Sequence, residues 1–401
     1  MEVADFGSLK IGDGYPVRIF AVLNVSPESF YKGSVRTIPQ EIGEYALKLV
    51  EEGVDYIDLG AASTAPPTIY RTEYVSEEVE LERVIEAVKA IRDVTDFPIS
   101  IDTQRSRVAE AALSRGANAV NDVSGFKTDP NLPKVVADYD APVILMAARE
   151  KPGDPEKIGE IREALKESIR IAEEAGVDTK KIVIDPGVGF GKPYECDLAM
   201  IRDLGRLKTL RKPILIGVSR KSFIGRVLGL ENPEDRLNGS LAATAIAVFN
   251  GANAVRTHDI KQTKEAVRVA EAIAEKTRIV ERNPYSAVEL NFLKDSDDGG
   301  DVMETIGVSE LGIQMMKEKT TNHNILISNL SAPAALSLKQ HMLSVGGDVA
   351  MPAGVIDFTI ERCTVLLMGT TKQIKEIVPK LKINFFDLPE IADILLDLIQ
   401  D

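Results

Sequence analysis

Six polar residues, each closing a short apolar run, are the residues of this chain best suited to chemistry: Asp102, Asn121, Asp185, Lys221, Arg256 and His258. Asn24, Ser26, Ser63, Thr64, Thr103, Asp122, Ser219, Arg220 and Ser222 end similar runs or stand just beyond them, and only the run finishing at Met146-Ala147-Ala148 lacks a polar group. The types divide along the chain. Asp102, Asn121 and Asp185 supply oxygens; a buried carboxylate needs hydrogen-bonding or charged partners, and a flat ligand edge rich in N–H groups would provide them. Lys221, Arg256 and His258, together with Asn24, suit an anionic tail on the same ligand. Lys221 could instead pair with a neighbouring carboxylate, since structural ion pairs also occupy such clefts. The segment DPGVGFGK (Asp185–Lys192) lacks the G-x-x-x-x-G-K-[ST] spacing of a phosphate loop, and its glycines are read as letting the chain turn sharply beside a ligand.

The apolar runs that carry these residues are Val17–Val25, Tyr56–Ser63, Pro98–Thr103, Asn118–Gly125, Ala141–Ala148, Lys181–Gly189, Lys212–Ser219 and Ala252–Asp259. Several are continuously apolar, as parallel strands covered on both faces are. Amphipathic helical stretches alternate with them, among them Ile38–Gly53, Val75–Val94, Ile158–Gly176, Leu237–Gly251 and Lys261–Thr277. The phrases EGVDYI, RGANAV and NGANAV place a glycine between each helix and the next strand. Eight strand–helix units joined by right-handed crossovers predict a closed (β/α)8 TIM barrel, and no G-x-G-x-x-G follows the first strand to argue for an open dinucleotide-binding sheet. In such a barrel the ends of the strands form the active site, and strands seven and eight flank the usual phosphate position. The expected organisation is a barrel over residues 1–280, a linker over 281–305 containing the acidic run DSDDGGD, and a small α+β domain over 306–401.

The formal net charge of −14 over 401 residues is the opposite of a nucleic-acid-binding footprint, while leaving room for a few cations focused in a cleft. Cys196 and Cys363 are the only cysteines, which predicts no disulfide framework and fits a reducing, cytoplasmic setting. The N-terminus lacks a signal-peptide pattern, and no run of apolar residues is long enough for a membrane span. Neither a nucleic acid nor a membrane is expected as a partner.

The segments NVSPESF, SIDTQRSRVAEAALSRGANAVNDVSG, IVIDPGVGFGK, PILIGVSRKSFIG and AVRTHDIKQT resemble, in order and spacing, the signature blocks of the dihydropteroate synthases, over roughly residues 15–278. The resemblance implies a transferase that joins 6-hydroxymethyl-7,8-dihydropterin diphosphate to p-aminobenzoate and releases pyrophosphate, with Mg2+ as cofactor. It further implies that Asp102, Asn121, Asp185 and Lys221 bind the pterin, with Lys221, Asp102, Asp185 and Arg256 carrying catalysis. Asn24, Arg256 and His258 would hold the diphosphate, with Asn24 also on the metal. Ser222 and Thr64 would meet the second substrate. The family tends to dimerise through barrel helices, so a homodimer is expected.

Three places depart from the family pattern. The first loop reads NVSPESFYKGS rather than NVTPDSFSDGG; STAPP puts Ala65 where STRPG has arginine; and Ala147-Ala148 replaces a His-Met pair. Lys32, Arg71 and Arg149 are cations that could substitute. These losses allow a different arylamine, such as the ribosylated aminobenzene phosphate of methanopterin synthesis rather than the p-aminobenzoate of folate synthesis. A pterin-dependent methyltransferase and a non-catalytic pterin-binding protein are the alternatives; SRKSFIG and RTHD, which imply a diphosphate site, argue against the former. In the C-terminal part Gly346-Gly347 is read as ending a helix, and His323 and His341 as ordinary packing or surface residues.

Overall fold

The computed structural model describes residues 3–28, 32–63, 74–274, 279–282, 285–288, 290–357 and 359–399. It divides into two compact units, Met1–Glu289 and Leu290–Asp401.

The first unit opens with an antiparallel hairpin, β1 (Ala4–Phe6) and β2 (Leu9–Ile11). Eight parallel strands follow: β3 (Arg18–Asn24), β4 (Tyr56–Gly60), β5 (Ile99–Asp102), β6 (Ala119–Asp122), β7 (Val143–Met146), β8 (Ile182–Asp185), β9 (Leu215–Ile216) and β10 (Ala254–Thr257). Their order in the sheet is β8-β7-β6-β5-β4-β3-β10-β9. The ends meet through a parallel bridge from Ile184 to Ile214, with Ile184 N donating to Pro213 O at 2.9 Å. The sheet is therefore a closed barrel, as the alternation of strands and helices predicts.

Side chains on a strand alternate between faces, and the two faces have separate cores. Ile19, Ala21, Leu23, Ile57, Leu59, Ile99, Ile101 and their counterparts pack outward against the helices. Phe20, Tyr56, Ala119, Ile144, Val183, Leu215 and Ala254 pack inward. The hairpin, which the sequence reading did not anticipate, belongs to the inner core: Phe6 meets Phe20 and Tyr56 edge-on at centroid distances of 5.8 and 5.2 Å. Ala4, Phe6, Leu9 and Ile11 form its apolar face across a turn at Gly7, whose φ of +67° suits glycine. It plugs the barrel and gives the polar residues above it an apolar floor.

Helix ends follow the local chemistry. Ser76 caps the helix Glu77–Arg92 by accepting from Val79 N, with Glu77, Glu78 and Glu80 in the first turn and Lys89 and Arg92 in the last, a distribution that complements the helix dipole.

The second unit holds a three-stranded antiparallel sheet with Arg362–Thr370 between Asn322–Ser331 and Asp348–Ala350. Helices Ala332–Ser344, Thr371–Lys382 and Leu388–Ile399 supply Leu338, Ile374, Ile377, Leu381 and Leu395 to its core. The helix Ala332–Ser344 ends just before Gly346, at φ +83°.

The segment expected as a linker, 281–305, is structured at both ends. Ile279–Arg282 and Tyr285–Val288 pair as an antiparallel hairpin, and Ser296–Thr305 is a helix. The acidic run expected within the linker is a helix start. Asp295 is the N-cap, accepting from Asp298 N at 2.9 Å, and Asp298 accepts from the backbone N of Lys294 and Asp295. Acidic side chains in that position satisfy orphan amides and face the positive end of the dipole. Replacing Asp295 with Ala should therefore cost about 1 kcal/mol of stability, read as a lowered denaturation midpoint of the full-length chain.

Candidate active site

Counting two residues along each strand from the apolar floor gives the next inward layer. Phe20 leads to Val22, Tyr56 to Asp58, Ala119 to Asn121, Ile144 to Met146, Val183 to Asp185 and Ala254 to Arg256. The layer is polar on β4, β6, β8 and β10, and Asp102 at the end of β5 joins it through Arg256.

Arg256 is its centre. Its guanidinium pairs with Asp58 through Nε, and Nη2 donates to Asp102 Oδ2 at 2.9 Å. Asp58 is fully buried. It also accepts from Ser100 Oγ at 2.6 Å and from Asn121 Nδ2 at 3.2 Å, so its two oxygens reach three strands besides its own. Burial pushes the Asp102 carboxyl up to about 7, against the attraction of Arg256 and with a further push from Asp58. Asp102 Oδ1 is buried and has no hydrogen-bond partner among the described residues. Such an acceptor calls for a donor from a ligand.

Asp185 and Lys221 form the next group. Asp185 Oδ1 accepts from Gly187 N at 2.7 Å, and burial raises its pKa while Lys221 draws it down. Lys221 Nζ donates to Val188 O and lies 4.5 Å from the centroid of the Phe190 ring. Burial lowers the Lys221 ammonium to about 8, with Asp185 and Asp197 opposing the shift. Gly189, at φ +77°, lies against the lysine stem, and a Cβ there would come 2.3 Å from Lys221 Cδ. The glycine-rich segment is thus a tight turn over Lys221. Lys192, the lysine of the phosphate-loop lookalike, is buried and donates to Gly187 O at 2.8 Å. Asp197 accepts from Gly189 N at 2.8 Å, completing the frame.

His258 meets Ser219 Oγ through Nδ1 at 3.0 Å. Burial, then the charges of Arg256, Arg220 and Lys221, lower its pKa well below the usual range, so the imidazole is neutral. Asn24 Nδ2 donates to Ser34 Oγ at 3.1 Å, and Ser222 opens the helix Ser222–Leu228 directly after Lys221. Thr64, Ala65 and Arg71 lie outside the described residues. Arg149 points toward Glu160, 4.0 Å away. Ala147 and Ala148 are buried, and Ala147 N donates to Asp185 O at 2.8 Å.

Several polar strand ends build loops instead. Asp122 accepts from Ser124 N at 2.8 Å and from Phe126 N at 2.6 Å. Thr103 Oγ1 donates to Glu80 at 2.6 Å. Arg220, at φ +58°, makes a two-pronged pair with Asp259 at 2.8 and 2.6 Å and donates to the carbonyls of Pro233 and Glu234. Asp58 is the functional residue that sequence reasoning missed. It sits inside an apolar run rather than at its end, and counting alternate positions from Tyr56 would have found it.

Asp58→Asn keeps the shape but leaves Arg256 with one carboxylate in place of two. Breaking a buried charge pair costs about 3 kcal/mol, so the variant should lose stability of that order in urea titration; an unchanged midpoint would show that Asp102 alone satisfies Arg256.

Residues 20–258 match the family described as pterin binding enzyme. A dihydropteroate synthase of Clostridium beijerinckii is 40% identical over 268 residues, covering 67% of this chain and 98% of that protein. The Bacillus subtilis dihydropteroate synthase is 37% identical over 64% of this chain and 89% of its own length. Among solved structures, a Clostridium difficile dihydropteroate synthase determined in the presence of pteroic acid is 40% identical, with a TM-score of 0.59, covering 65% of this chain and 98% of its own. The Xanthomonas albilineans enzyme in complex with 7,8-dihydropteroate is 35% identical, with a TM-score of 0.59, over 68% of this chain and 98% of its own. With a barrel closed around Arg256, two buried aspartates and Lys221, and with these relatives spanned almost end to end, the chain belongs to the dihydropteroate synthase family.

Proposed function

We propose that this enzyme condenses 6-hydroxymethyl-7,8-dihydropterin diphosphate with p-aminobenzoate in the cytoplasm, for folate synthesis, through the layer centred on Arg256. The observation that carries the reading is Asp102 Oδ1, a buried acceptor with no partner among the described residues. It suits the N–H edge of a pterin, with Asn121 and Asp185 as its companions. Lys221, which feels the Asp185 charge and lies 4.5 Å from the Phe190 ring centroid, is the cationic wall of the same pocket.

In the reaction the C–O bond between the pterin methylene and the diphosphate breaks, and the bonding electrons leave with pyrophosphate. The arylamine nitrogen then bonds to the methylene and releases a proton to solvent. Asp102 and Asp185 stabilise positive charge that develops on the pterin, while Arg256 and His258 face the leaving group. The neutral His258 imidazole takes up a proton more readily once an anion is beside it. Ser222 and Thr64 are assigned to the arylamine.

Among the described residues no group of three or more His, Cys, Asp or Glu is placed to hold a metal. Asn24 would be the protein's oxygen contact to a Mg2+ ion that enters with the diphosphate. The ion would neutralise charge on the leaving group.

A homodimer is supported by the helix Leu237–Phe249, whose sequence LNGSLAATAIAVF is apolar on nearly all sides. Ile246 and Phe249 are 52% and 55% exposed, and Val227 and Leu228 on the neighbouring helix are 55% and 51% exposed. A helix of this composition is ordinarily covered.

The deciding assay follows condensation with p-aminobenzoate and, separately, with the ribosylated aminobenzene phosphate, each with Mg2+ and with chelator. Turnover with p-aminobenzoate, lost in Lys221→Ala and in chelator, is the expected result; turnover with the phosphorylated arylamine alone moves the enzyme to methanopterin synthesis. Wild type and Lys221→Ala equally inactive on both would mark a non-catalytic pterin binder.

The pH dependence has a worked sign. Asp102, raised to about 7, is ionised only above that pH, whereas Lys221, lowered to about 8, is charged only below it. The rate should therefore peak between these values. Lys221→Arg keeps its charge at any accessible pH and should push the alkaline limb upward; an unmoved limb assigns it to another group.

A further inference from the structure

The chain leaving β7 folds back on itself and lies against the glycine-rich segment that leaves β8. Ala147 N donates to Asp185 O at 2.8 Å, Gly153 N donates to Ala147 O at 3.2 Å, and Ala148 bridges Pro152 in antiparallel register. The Asp154 carboxylate closes this turn from within. Its Oδ1 accepts from Arg149 N at 2.7 Å, and its Oδ2 accepts from Glu150 N at 2.9 Å and from Lys151 N at 3.4 Å. Against the push of burial, these bonds hold the Asp154 carboxyl below its usual range. The lock is therefore charged wherever the enzyme works, and a turn whose amides are tied to its own carboxylate has few ways to move.

Gly153 is where the two segments touch. It is buried, at φ +74°, a conformation that favours glycine. Space demands glycine as well: a Cβ there would overlap Phe190 Cβ and come 3.1 Å from Phe190 O. A Cβ on Gly187 would likewise come 3.3 Å from Met146 Cγ and 3.5 Å from Ala147 O. Phe190 in turn covers Lys221, with its ring centroid 4.5 Å from Nζ. Gly153 has no side chain to offer a substrate, so whatever it does at the site it does through Phe190.

We propose that Gly153 is a positioning residue: the turn Ala147–Asp154, locked by Asp154, seats Phe190 so that its ring caps the Lys221 ammonium. A cation over a ring face is attracted to it, and the ring keeps water off that side of the charge. A phenylalanine has other staggered rotamers open to it; backbone packed against its Cβ and carbonyl holds it to this one. Ala147 and Ala148, both buried, are small enough for the turn to sit this close. The departure from the family pattern at these two residues is thus a change in what supports Lys221.

Acetylation of the full-length protein by acetic anhydride, read lysine by lysine in a mass spectrometer, tests the seat without turnover. Lys134, whose side chain is 74% exposed, is the internal reference. Phe190→Ala and Gly153→Ala should each raise the Lys221 rate relative to Lys134 about tenfold, and Asp154→Ala about threefold, as the cap opens locally. In the Phe190→Ala background Gly153→Ala should add nothing. An unchanged Lys221 rate in Gly153→Ala, or a further rise in the double variant, overturns the proposal. Should Gly153→Ala fail to fold, judged by circular dichroism, Asp154→Ala decides, and a wild-type Lys221 rate there overturns it. A second arm rests on the condensation proposed above. Burial is the largest cause of the lowered Lys221 ammonium, with Arg256 and Lys192 adding to it and Asp185 and Asp197 opposing it. Water solvates an ammonium better than a ring does, so Gly153→Ala should move the alkaline limb up by about one pH unit and leave the acid limb in place. A merely loosened fold lowers the rate at every pH; both limbs moving together, or neither, overturns the proposal. Should the wild type not condense, or Lys221→Arg leave that limb unmoved, the proposed function or its pH assignment fails, and the acetylation arm alone decides the seat.

Discussion

A guanidinium held between two buried carboxylates is the constraint around which this barrel is organised. Taking charges out of water costs several kcal/mol per ion, and the cost is offset only when geometry and further hydrogen bonds are good. Asp58 meets that condition with Ser100, Asn121 and Arg256, and Asp102 meets it only on one oxygen. Arg256 lies 198 residues from Asp58 in sequence. The pair exists only if β10 closes against β3 and the strands keep their register, Arg256 beside Phe20 and Phe20 beside Tyr56. Slipping one residue would put Arg256 into the outer apolar core. Barrel closure and the charge layer therefore depend on one another.

The floor makes that layer possible. Phe6, Phe20 and Tyr56 stack and cross within 5.1–5.8 Å, excluding water from below and leaving the polar groups open only toward the strand ends. Low dielectric then acts in both directions. It raises the Asp102 carboxyl, lowers the Lys221 ammonium and keeps His258 neutral. A ligand that supplies N–H groups to Asp102 and negative charge near His258 reverses part of each shift.

How much of this was legible in the sequence depended on which regularity carried it. Strand alternating with helix gave the barrel, because parallel strands covered on both faces are nearly continuous apolar runs. Asp102, Asn121, Asp185, Lys221, Arg256 and His258 were visible because they interrupt or end such runs. Asp58 was hidden for the opposite reason: in YIDLG it is a single polar residue inside a run, and only the period of two shows that it faces inward. Arg220 and Asp122 also stand at strand ends, but such a position does not say whether a side chain turns into the mouth or back onto its own loop. The decisive contacts, Arg220 to Asp259 and Asp122 to Phe126 N, are tertiary or turn-local. The acidic run at 295–301 misled through composition. Its aspartates are spaced as a capping box, and the cap outweighs the run of charge and glycine.

The departures from the family pattern and the charge layer lie at different depths. Ala147 and Ala148 are buried small residues beside β8, and Ala65 lies outside the described residues, whereas every member of the layer is supplied by a strand. Strands hold side chains more rigidly than loops do, so chemistry at the pterin can be retained while the rim changes. Orientation at the rim must then come from elsewhere than the lost side chains. The helix Glu77–Arg92 is a rigid element that reaches the chain leaving β3 and β4. Its Arg83 donates to the Ala61 backbone carbonyl as well as to the Glu28 carboxylate, and a carbonyl anchor survives substitution of the residue that carries it. That makes the helix a part of this fold on which a changed rim can still be built.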